Sequence, residues 1–381
     1  MDLWTNRTAL ELILFSSSGG CALVTTLLAS LLVHAHLTYY VDALAQTYII
    51  RILFMPVLYA LTSMFSILFV RYIVYFQFVR DCYEAFVLYQ FFALLLHYFN
   101  TEACIQQDEQ EMGEFSLATE SASDSGENES PSYISTISAS HREVDETTGS
   151  YLSRMGHVTL PFPLKCYPPF VAGDRFLVYI RRIVFQYVLL KPLMAFVAII
   201  LEYFGLYHRG SYNPRYGYLW LTAILNVSIS VAFYGLYVFY HITHHHIKIY
   251  HPLSKLLAVK AAIFFTFWQA AGISALYEFQ IVGPLTPELN ADDSAAIMNN
   301  TLIGGEMVLL AIFNMIVFPY QEYKNMLITA PKTERPEGEE EEEEEERNLS
   351  IWSRLTRHIL NPFDVCADGK AILMGHDSRV T

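Results

Sequence analysis

Two charged residues in apolar surroundings, Lys191 and Glu84, carry the strongest chemical signal in this 381-residue sequence. Lys191 lies midway along the apolar residues 176–204 and is followed by Pro192, whereas Glu84 ends the charged stretch RDCYE. A lysine at the centre of a membrane helix costs roughly 2.5 to 3.5 kcal/mol, so Lys191 needs water or a partner. Glu84 is the candidate counter-ion. A buried cation beside a proline favours an anion-binding site or a moving part, and a structural ion pair is the alternative.

Four further polar residues lie within apolar segments and complete a candidate substrate-binding set with Lys191 and Glu84. Arg51 could assist Lys191 in attracting an anionic group, and the others could offer hydrogen bonds. Hydrogen bonds between membrane helices are also a common packing device, worth roughly 0.6 kcal/mol each, so packing is the alternative reading. The four residues are Arg51, Asn226, Ser230 and Gln269.

Seven apolar segments must position these side chains. A bilayer core of roughly 30 Å needs roughly 20 apolar residues in a helix, and separate runs of this length are foreign to soluble domains. The composition, 53% hydrophobic and 15% aromatic, agrees. The sequence therefore predicts an all-α membrane protein with seven transmembrane helices, near residues 9–33, 47–70, 73–99, 176–204, 218–241, 256–279 and 302–320.

The net charge of −14 comes from two acidic stretches, residues 101–150 and 331–347. Such stretches repel themselves and bury little apolar surface, so they are expected to be disordered. The predicted organisation is helices 1–3 in 1–99, a disordered acidic cytoplasmic loop in 100–162, helices 4–7 in 163–325, and an acidic cytoplasmic tail in 326–381. Within the tail, residues 348–360 alternate apolar and basic residues as in an amphipathic helix lying on a membrane or docked under the bundle.

The distribution of Lys and Arg predicts an external N-terminus and a cytoplasmic C-terminus. Two N-glycosylation sequons begin at Asn6 and Asn299 and would both lie outside, as candidate acceptors. Cysteines next to the apolar segments are candidates for palmitoylation, with unmodified thiols as the alternative. These cysteines are Cys104, Cys166 and Cys366.

A histidine group near the end of the fifth segment raises one enzymatic alternative. His241, His244 and His245 have the H-x-x-H-H spacing of membrane di-iron enzymes, but a second histidine box is lacking. A basic cluster beside anionic lipid heads is the favoured interpretation. Hydrolase, P-loop and zinc-protease motifs are also absent from the sequence. We therefore expect no enzyme activity, no cofactor, no metal site and no nucleic-acid partner.

Five stretches, in a fixed order, resemble the organic solute transporter subunit alpha / transmembrane protein 184 family. They cover every predicted span except the first and the seventh. The stretches are YIIRILFMPVLYALTSMFSI (48–67), DCYEAFVLYQFFALL (81–95), FQYVLLKPLMAFVAIIL (185–201), NVSISVAFYGLYVFYH (226–241) and HPLSKLLAVKAAIFFTFWQ (251–269).

The resemblance implies seven helices, an external N-terminus and facilitative transport of organic anions such as steroid conjugates or bile-salt-like solutes. It also implies a single-span beta subunit as partner; a homo-oligomer is the other assembly considered, with membrane lipids around either. The expected location is the plasma membrane or an endomembrane. An endomembrane scaffold or trafficking protein without transport activity is the main alternative, since a shared fold does not settle function.

Overall fold

Long helices account for most of the chain in the computed structural model. Their bounds are α1 Ala9–Thr38, α2 Ala43–Leu68, α3 Ile73–Ala122, α4 Asp174–Tyr203, α5 Gly217–Ile247, α6 Pro252–Glu278, α7 Ala291–Val317 and α8 Gln321–Thr329. Two short antiparallel strands, β1 (His157–Val158) and β2 (Phe170–Val171), pair with each other. The structure describes residues 9–122, 151–154, 157–162, 165, 168–208, 213–285 and 290–329.

The helical membrane class predicted from the sequence is confirmed. Within the described residues, six helical segments are long and apolar enough to cross a membrane. They are Leu12–Thr38, Ala43–Leu68, Val70–Gln106, Asp174–Tyr203, Gly217–Tyr250 and Asp292–Met326. The remaining long helix, α6, has 27 residues and coincides with the predicted sixth span.

Two element boundaries differ from the prediction. Helix α3 continues to Ala122 instead of ending at Phe99, so the first part of the predicted disordered loop is helical. Its sequence there, QQDEQEM, consists mostly of good helix formers, and the prediction weighed charge above helix propensity. Helix α7 begins at Ala291, within the predicted external loop, where Asp292 and Asp293 suit the positive end of the helix dipole. The predicted amphipathic helix at 348–360 lies outside the described residues.

The chain divides into two units, which are described separately. The first contains α1, α2, α6, α7 and α8 with residues 73–92 of α3, 184–203 of α4 and 217–232 of α5. The second contains both strands, the remainder of α3 and α4, and residues 233–247 of α5.

A buried glutamine fixes the turn between α1 and α2 in the first unit. The Gln46 amide donates to the carbonyl oxygens of His36 and Tyr39 at 3.0 and 2.8 Å. Its oxygen accepts the backbone N–H groups of Val41 and Asp42 at 2.7 and 3.1 Å. A helix end leaves backbone N–H and C=O groups without partners. The Gln46 side chain supplies hydrogen bonds to four such groups in the turn that precedes α2.

Helices α1 and α7 run in the same direction and approach closely at Gly304. A Cβ atom added there would lie 3.3 Å from the Ser18 hydroxyl oxygen and 3.8 Å from the Ser18 Cα. Further along the same pair, the His36 ring Nε2 donates to the Phe318 carbonyl oxygen at 3.1 Å. Small residues permit this kind of backbone approach between membrane helices.

In the second unit, hydrogen bonds connect residues that lie before and after the acidic stretch. The Tyr151 hydroxyl donates to the Gln106 side-chain oxygen and lies 3.1 Å from His246 Nδ1. Gln106 Nε2 lies 3.3 Å from the same ring nitrogen. Burial raises the pKa of Tyr151, so its hydroxyl keeps the proton that it donates. Nearby, the rings of Tyr98 and Tyr250 stack with centroids 4.3 Å apart.

We predict that Gly304→Leu destabilises the first unit, since its side chain must enter the space that Ser18 occupies. Overpacking of this kind costs about 1–3 kcal/mol. The measurement is the midpoint temperature of thermal unfolding of purified protein in detergent. Gly305→Leu is the matched control, because a Cβ added at Gly305 meets no atom within 4 Å. Equal midpoints for the two variants would contradict the close approach.

Candidate functional site

The ammonium group of Lys191 lies between two carboxylates of α3. Its Nζ is 3.1 Å from Asp81 Oδ1 and 3.4 Å from Glu84 Oε1. The side chains of Lys191, Asp81 and Glu84 are 13%, 19% and 8% exposed, so water reaches these three charges only in part. The structure therefore brings Glu84 and Lys191 together, as their depth in the sequence suggested, and adds Asp81.

Two tyrosine hydroxyls complete the surroundings of Glu84. Tyr187 donates to Oε1 at 2.7 Å and Tyr59 donates to Oε2 at 3.0 Å. Hydrogen bonds to an ionised acceptor are short and about twice as strong as neutral ones. Both tyrosine side chains are buried. We call the five residues Tyr59, Asp81, Glu84, Tyr187 and Lys191 the ion cluster, and all five belong to the first unit.

Helical spacing explains why three helices can supply this cluster. Asp81 and Glu84 are three residues apart on α3, and Tyr187 and Lys191 are four apart on α4, so each pair shares one helix face. Helix α4 is continuous through Pro192. The two residues of α3 and the two of α4 therefore meet where these helices pack together, and α2 contributes Tyr59.

Arg80, directly before Asp81 on α3, lies beside the ion cluster and was not among the candidate residues chosen from the sequence. It donates to the Ser63 hydroxyl at 3.2 Å and to Asn300 Oδ1 at 3.1 Å. Its guanidinium carbon is 5.9 Å from the centroid of the Tyr59 ring. The signal that could have found it is RDCYE, which places three charges within five residues of the otherwise apolar segment 73–99.

Arg51 belongs to a separate polar contact. It is 2% exposed, and its Nη1 donates to Gln90 Oε1 at 3.1 Å. The Tyr83 hydroxyl donates to the Arg51 carbonyl oxygen at 2.6 Å, and the guanidinium carbon lies 5.9 Å from the Phe86 ring centroid. These contacts lie within α2 and α3, and the role of Arg51 as a second anion-attracting group stays a prediction.

The predicted amide and hydroxyl donors do not join the ion cluster. Asn226 is exposed and donates to the Thr222 carbonyl oxygen at 2.9 Å, and Ser230, also exposed, donates to the Asn226 carbonyl oxygen at 2.7 Å. Bonds to the carbonyl four residues earlier are typical of polar side chains that face out of a helix. Gln269 donates to Asn299 Oδ1 at 3.0 Å and so joins α6 to α7.

The candidate modification residues fall in varied settings. Asn299 lies within α7 and in contact with Gln269. Cys104 is half-buried in α3. Asn6, Cys166 and Cys366 lie outside the described residues. Glycosylation and palmitoylation stay predictions.

The histidine group on α5 is held by local contacts. His244 Nδ1 donates to the His241 carbonyl oxygen at 2.7 Å. The ring centroids of His244 and His245 are 3.9 Å apart. In the described part of the chain, no three His, Cys, Asp or Glu side chains are grouped so that they could hold a metal ion.

Several apolar helices, with an ion cluster among α2, α3 and α4, define a multi-pass integral membrane protein. The profile of the family described as "Organic solute transporter Ostalpha" matches residues 14–323. The chain belongs to this family, as the sequence resemblance suggested.

Curated relatives carry other names. A transmembrane protein 184 homolog from Dictyostelium discoideum is 28% identical over 314 residues, which cover 82% of this chain and 53% of that protein. Protein LAZ1 homolog 1 from Arabidopsis thaliana is 30% identical over 310 residues, 81% of this chain and 57% of the relative. Protein LAZ1 homolog 2 from the same plant is 29% identical, covering 80% and 67%. The chain thus spans little more than half the length of the first two. No solved structure matches the chain.

We predict that Tyr187→Phe destabilises the protein, because it removes a hydrogen bond to the buried Glu84. Bonds to charged groups are worth about 1.5–3 kcal/mol. Thermal unfolding in detergent measures the loss. Tyr179→Phe, on the same helix but 63% exposed, is the control and should leave the midpoint unchanged. If Tyr187→Phe is as stable as the control, the hydroxyl does not support the ion cluster.

Proposed function

We propose that this chain is a facilitative transporter of amphipathic organic anions, steroid conjugates or bile-salt-like solutes, and that Lys191 meets the anionic group. The observation that carries the proposal is a partly exposed ammonium among membrane helices, in a chain of the organic solute transporter family. A charge at this depth costs several kcal/mol and is rarely retained without a use.

The charges on α2, α3 and α4 support an anionic guest. Glu202 near the end of α4 is exposed. Among the charges of α2, α3 and α4 in the first unit that are not exposed, the three cations Arg51, Arg80 and Lys191 outnumber the two anions Asp81 and Glu84. One formal positive charge is therefore left over among them. At low dielectric, such an excess attracts an anion more strongly than it would in water.

A cavity further along α4 is the proposed entrance for the anion. It has a volume of about 170 Å³ and lies between the start of α3 and the end of α4. Ile199 is eight residues from Lys191 along α4, a rise of about 12 Å. The lining combines one cation, one acid and aromatic rings, a mixture that suits an amphipathic molecule. The lining residues are Arg71, Tyr72, Val74, Tyr75, Ile199, Glu202 and Tyr203.

The proposed topology has seven spans, α1 to α7, with the N-terminus outside. The lengths of these helices and the excess of Lys and Arg on the cytoplasmic side support it. In this arrangement α3 begins and α4 ends at the external face, so the cavity opens there. A single-span beta subunit or a second copy of the chain is the proposed partner, and the plasma membrane or an endomembrane the proposed location.

We predict that Lys191→Ala lowers saturable uptake of a radiolabelled steroid sulfate by about tenfold or more, since a charged contact worth about 1.5–3 kcal/mol is lost. Uptake is measured in cells expressing the chain alone and with a single-span beta subunit, and normalised to the chain's surface level. Lys248→Ala, an exposed lysine at the end of α5, is the matched control. Uptake by Lys191→Ala equal to that of the control would contradict the proposed role.

Absence of uptake under every condition would instead favour the scaffold. That alternative requires deletion of the acidic tail to mislocalise a cargo protein, and the same cells can be stained for it.

A further inference from the structure

We infer that Gln90 of α3 and Arg51 of α2 form a second binding site for the anionic group of the transported solute, on the cytoplasmic side of Lys191. We call these two residues the inner site. The inference rests on the proposed function and deepens it, since it names the contact that the anion makes after Lys191. It is carried by a buried amide nitrogen that has no hydrogen-bond partner among the described residues and adjoins a buried guanidinium.

The orientation of the Gln90 amide follows from its neighbour. Arg51 Nη1 lies 3.1 Å from Gln90 Oε1, and a guanidinium can only donate hydrogen bonds, so the amide oxygen must be the atom that faces Arg51. The NH2 group on the other arm of the amide finds no acceptor in the described part of the chain, although the side chain is fully buried. A buried donor without an acceptor is costly, so this NH2 group requires an acceptor from outside the chain.

The charge balance of the first unit favours an anion as that acceptor. The two acids of the ion cluster are balanced by Lys191 and Arg80, whose charges both act on Asp81. Arg51 therefore carries the positive charge that is in excess among the unexposed charges of α2, α3 and α4. Its guanidinium and the NH2 group of Gln90 offer only N–H donors, and the oxygens of a sulfate or carboxylate are complementary to such a pair.

Both helices place the inner site at a similar depth. Gln90 is six residues beyond Glu84 on α3, a rise of about 9 Å. Arg51 is eight residues before Tyr59 on α2, a rise of about 12 Å, and Tyr59 is bonded to Glu84. In the proposed topology α3 runs towards the cytoplasm and α2 runs away from it. The inner site therefore lies closer to the cytoplasm than the ion cluster does.

The inner site is closed in this structure, whereas the ion cluster is partly open. Gln90 and Arg51 are 0% and 2% exposed, against 13% for the side chain of Lys191. An anion therefore meets Lys191 first and enters the inner site only after α2 and α3 rearrange. Two cationic sites in series keep the anion beside a positive charge as it crosses, which lowers the cost of moving a charge through the membrane.

The decisive variant is Gln90→Glu, which keeps the shape of the side chain and replaces the NH2 donor by a carboxylate oxygen. The carboxylate still accepts from Arg51, so the midpoint temperature of unfolding in detergent should equal or exceed that of wild type. Its second oxygen repels an anion. Saturable uptake of a radiolabelled steroid sulfate, measured as for Lys191→Ala, should therefore fall about tenfold or more. Gln321→Glu makes the same change at an exposed position of α8 and should behave like wild type.

A second test needs no transport. Bromide is a small monovalent anion that a closed site can hold, whereas gluconate is bulky. The unfolding midpoint of wild-type protein should therefore be higher in sodium bromide than in sodium gluconate at the same concentration, because a ligand that binds only the folded state stabilises it. The difference should be lost in Gln90→Glu, and also in Gln90→Met, which removes the NH2 group without adding a charge. Gln321→Glu should keep it.

Wild-type uptake by a folded Gln90→Glu protein, or a bromide effect that this variant retains, would overturn the inference and leave a buried water as the partner of the amide. If the bromide effect depends on Gln90 while no steroid sulfate is taken up, the proposed substrate is wrong and the inner site stands. If Gln90→Glu loses uptake while Lys191→Ala keeps it, the inner site stands and the role proposed for Lys191 fails. Neither uptake nor a bromide effect in wild-type protein would refute both proposals.

Discussion

An ammonium held between two carboxylates, away from bulk water, is the constraint on which the arrangement of α2, α3 and α4 depends. Dehydrating each of these charges costs several kcal/mol, and mutual attraction offsets the cost only when the geometry is good and the remaining lone pairs are satisfied. The hydroxyls of Tyr59 and Tyr187 satisfy two of them. The rotation and depth of three helices are therefore fixed by polar contacts, because lipid gives no hydrophobic reason to prefer one helix face over another.

The same constraint extends through neighbouring polar contacts of the first unit. Arg80 is bonded to Ser63 of α2 and Asn300 of α7, so α7 is tied to the helix that carries both acids. Gln269 then joins α6 to α7 through Asn299. A movement of α4 that changed the contacts of Lys191 would therefore also affect these hydrogen bonds. The close approach of α1 and α7 at Gly304, in contrast, depends on small residues.

The depth of a side chain in the membrane could be predicted from the sequence, but the rotation of its helix about the helix axis could not. Counting residues into an apolar run places Lys191 and Glu84 at similar depth, and the structure brings them together. The same count places Asn226 and Ser230 equally deep, yet both face outwards and bond their own helix. Tyrosines are common in this chain, so nothing marked Tyr59 and Tyr187 as partners of an acid. The length of α3 was missed because acidic residues suggested disorder where glutamate and glutamine favour a helix.

The contact of Tyr151 with Gln106 and His246 has a consequence for how this family can diversify. It holds Gln106 and Tyr151, the two residues on either side of residues 107–150, close together. When the ends of a loop are fixed, doubling the number of residues between them adds only about 0.6 kcal/mol to the entropic cost of closure. Insertions, deletions and new acidic residues can therefore accumulate between the two anchors while Phe99 and Phe239 keep their edge-to-face packing beneath them.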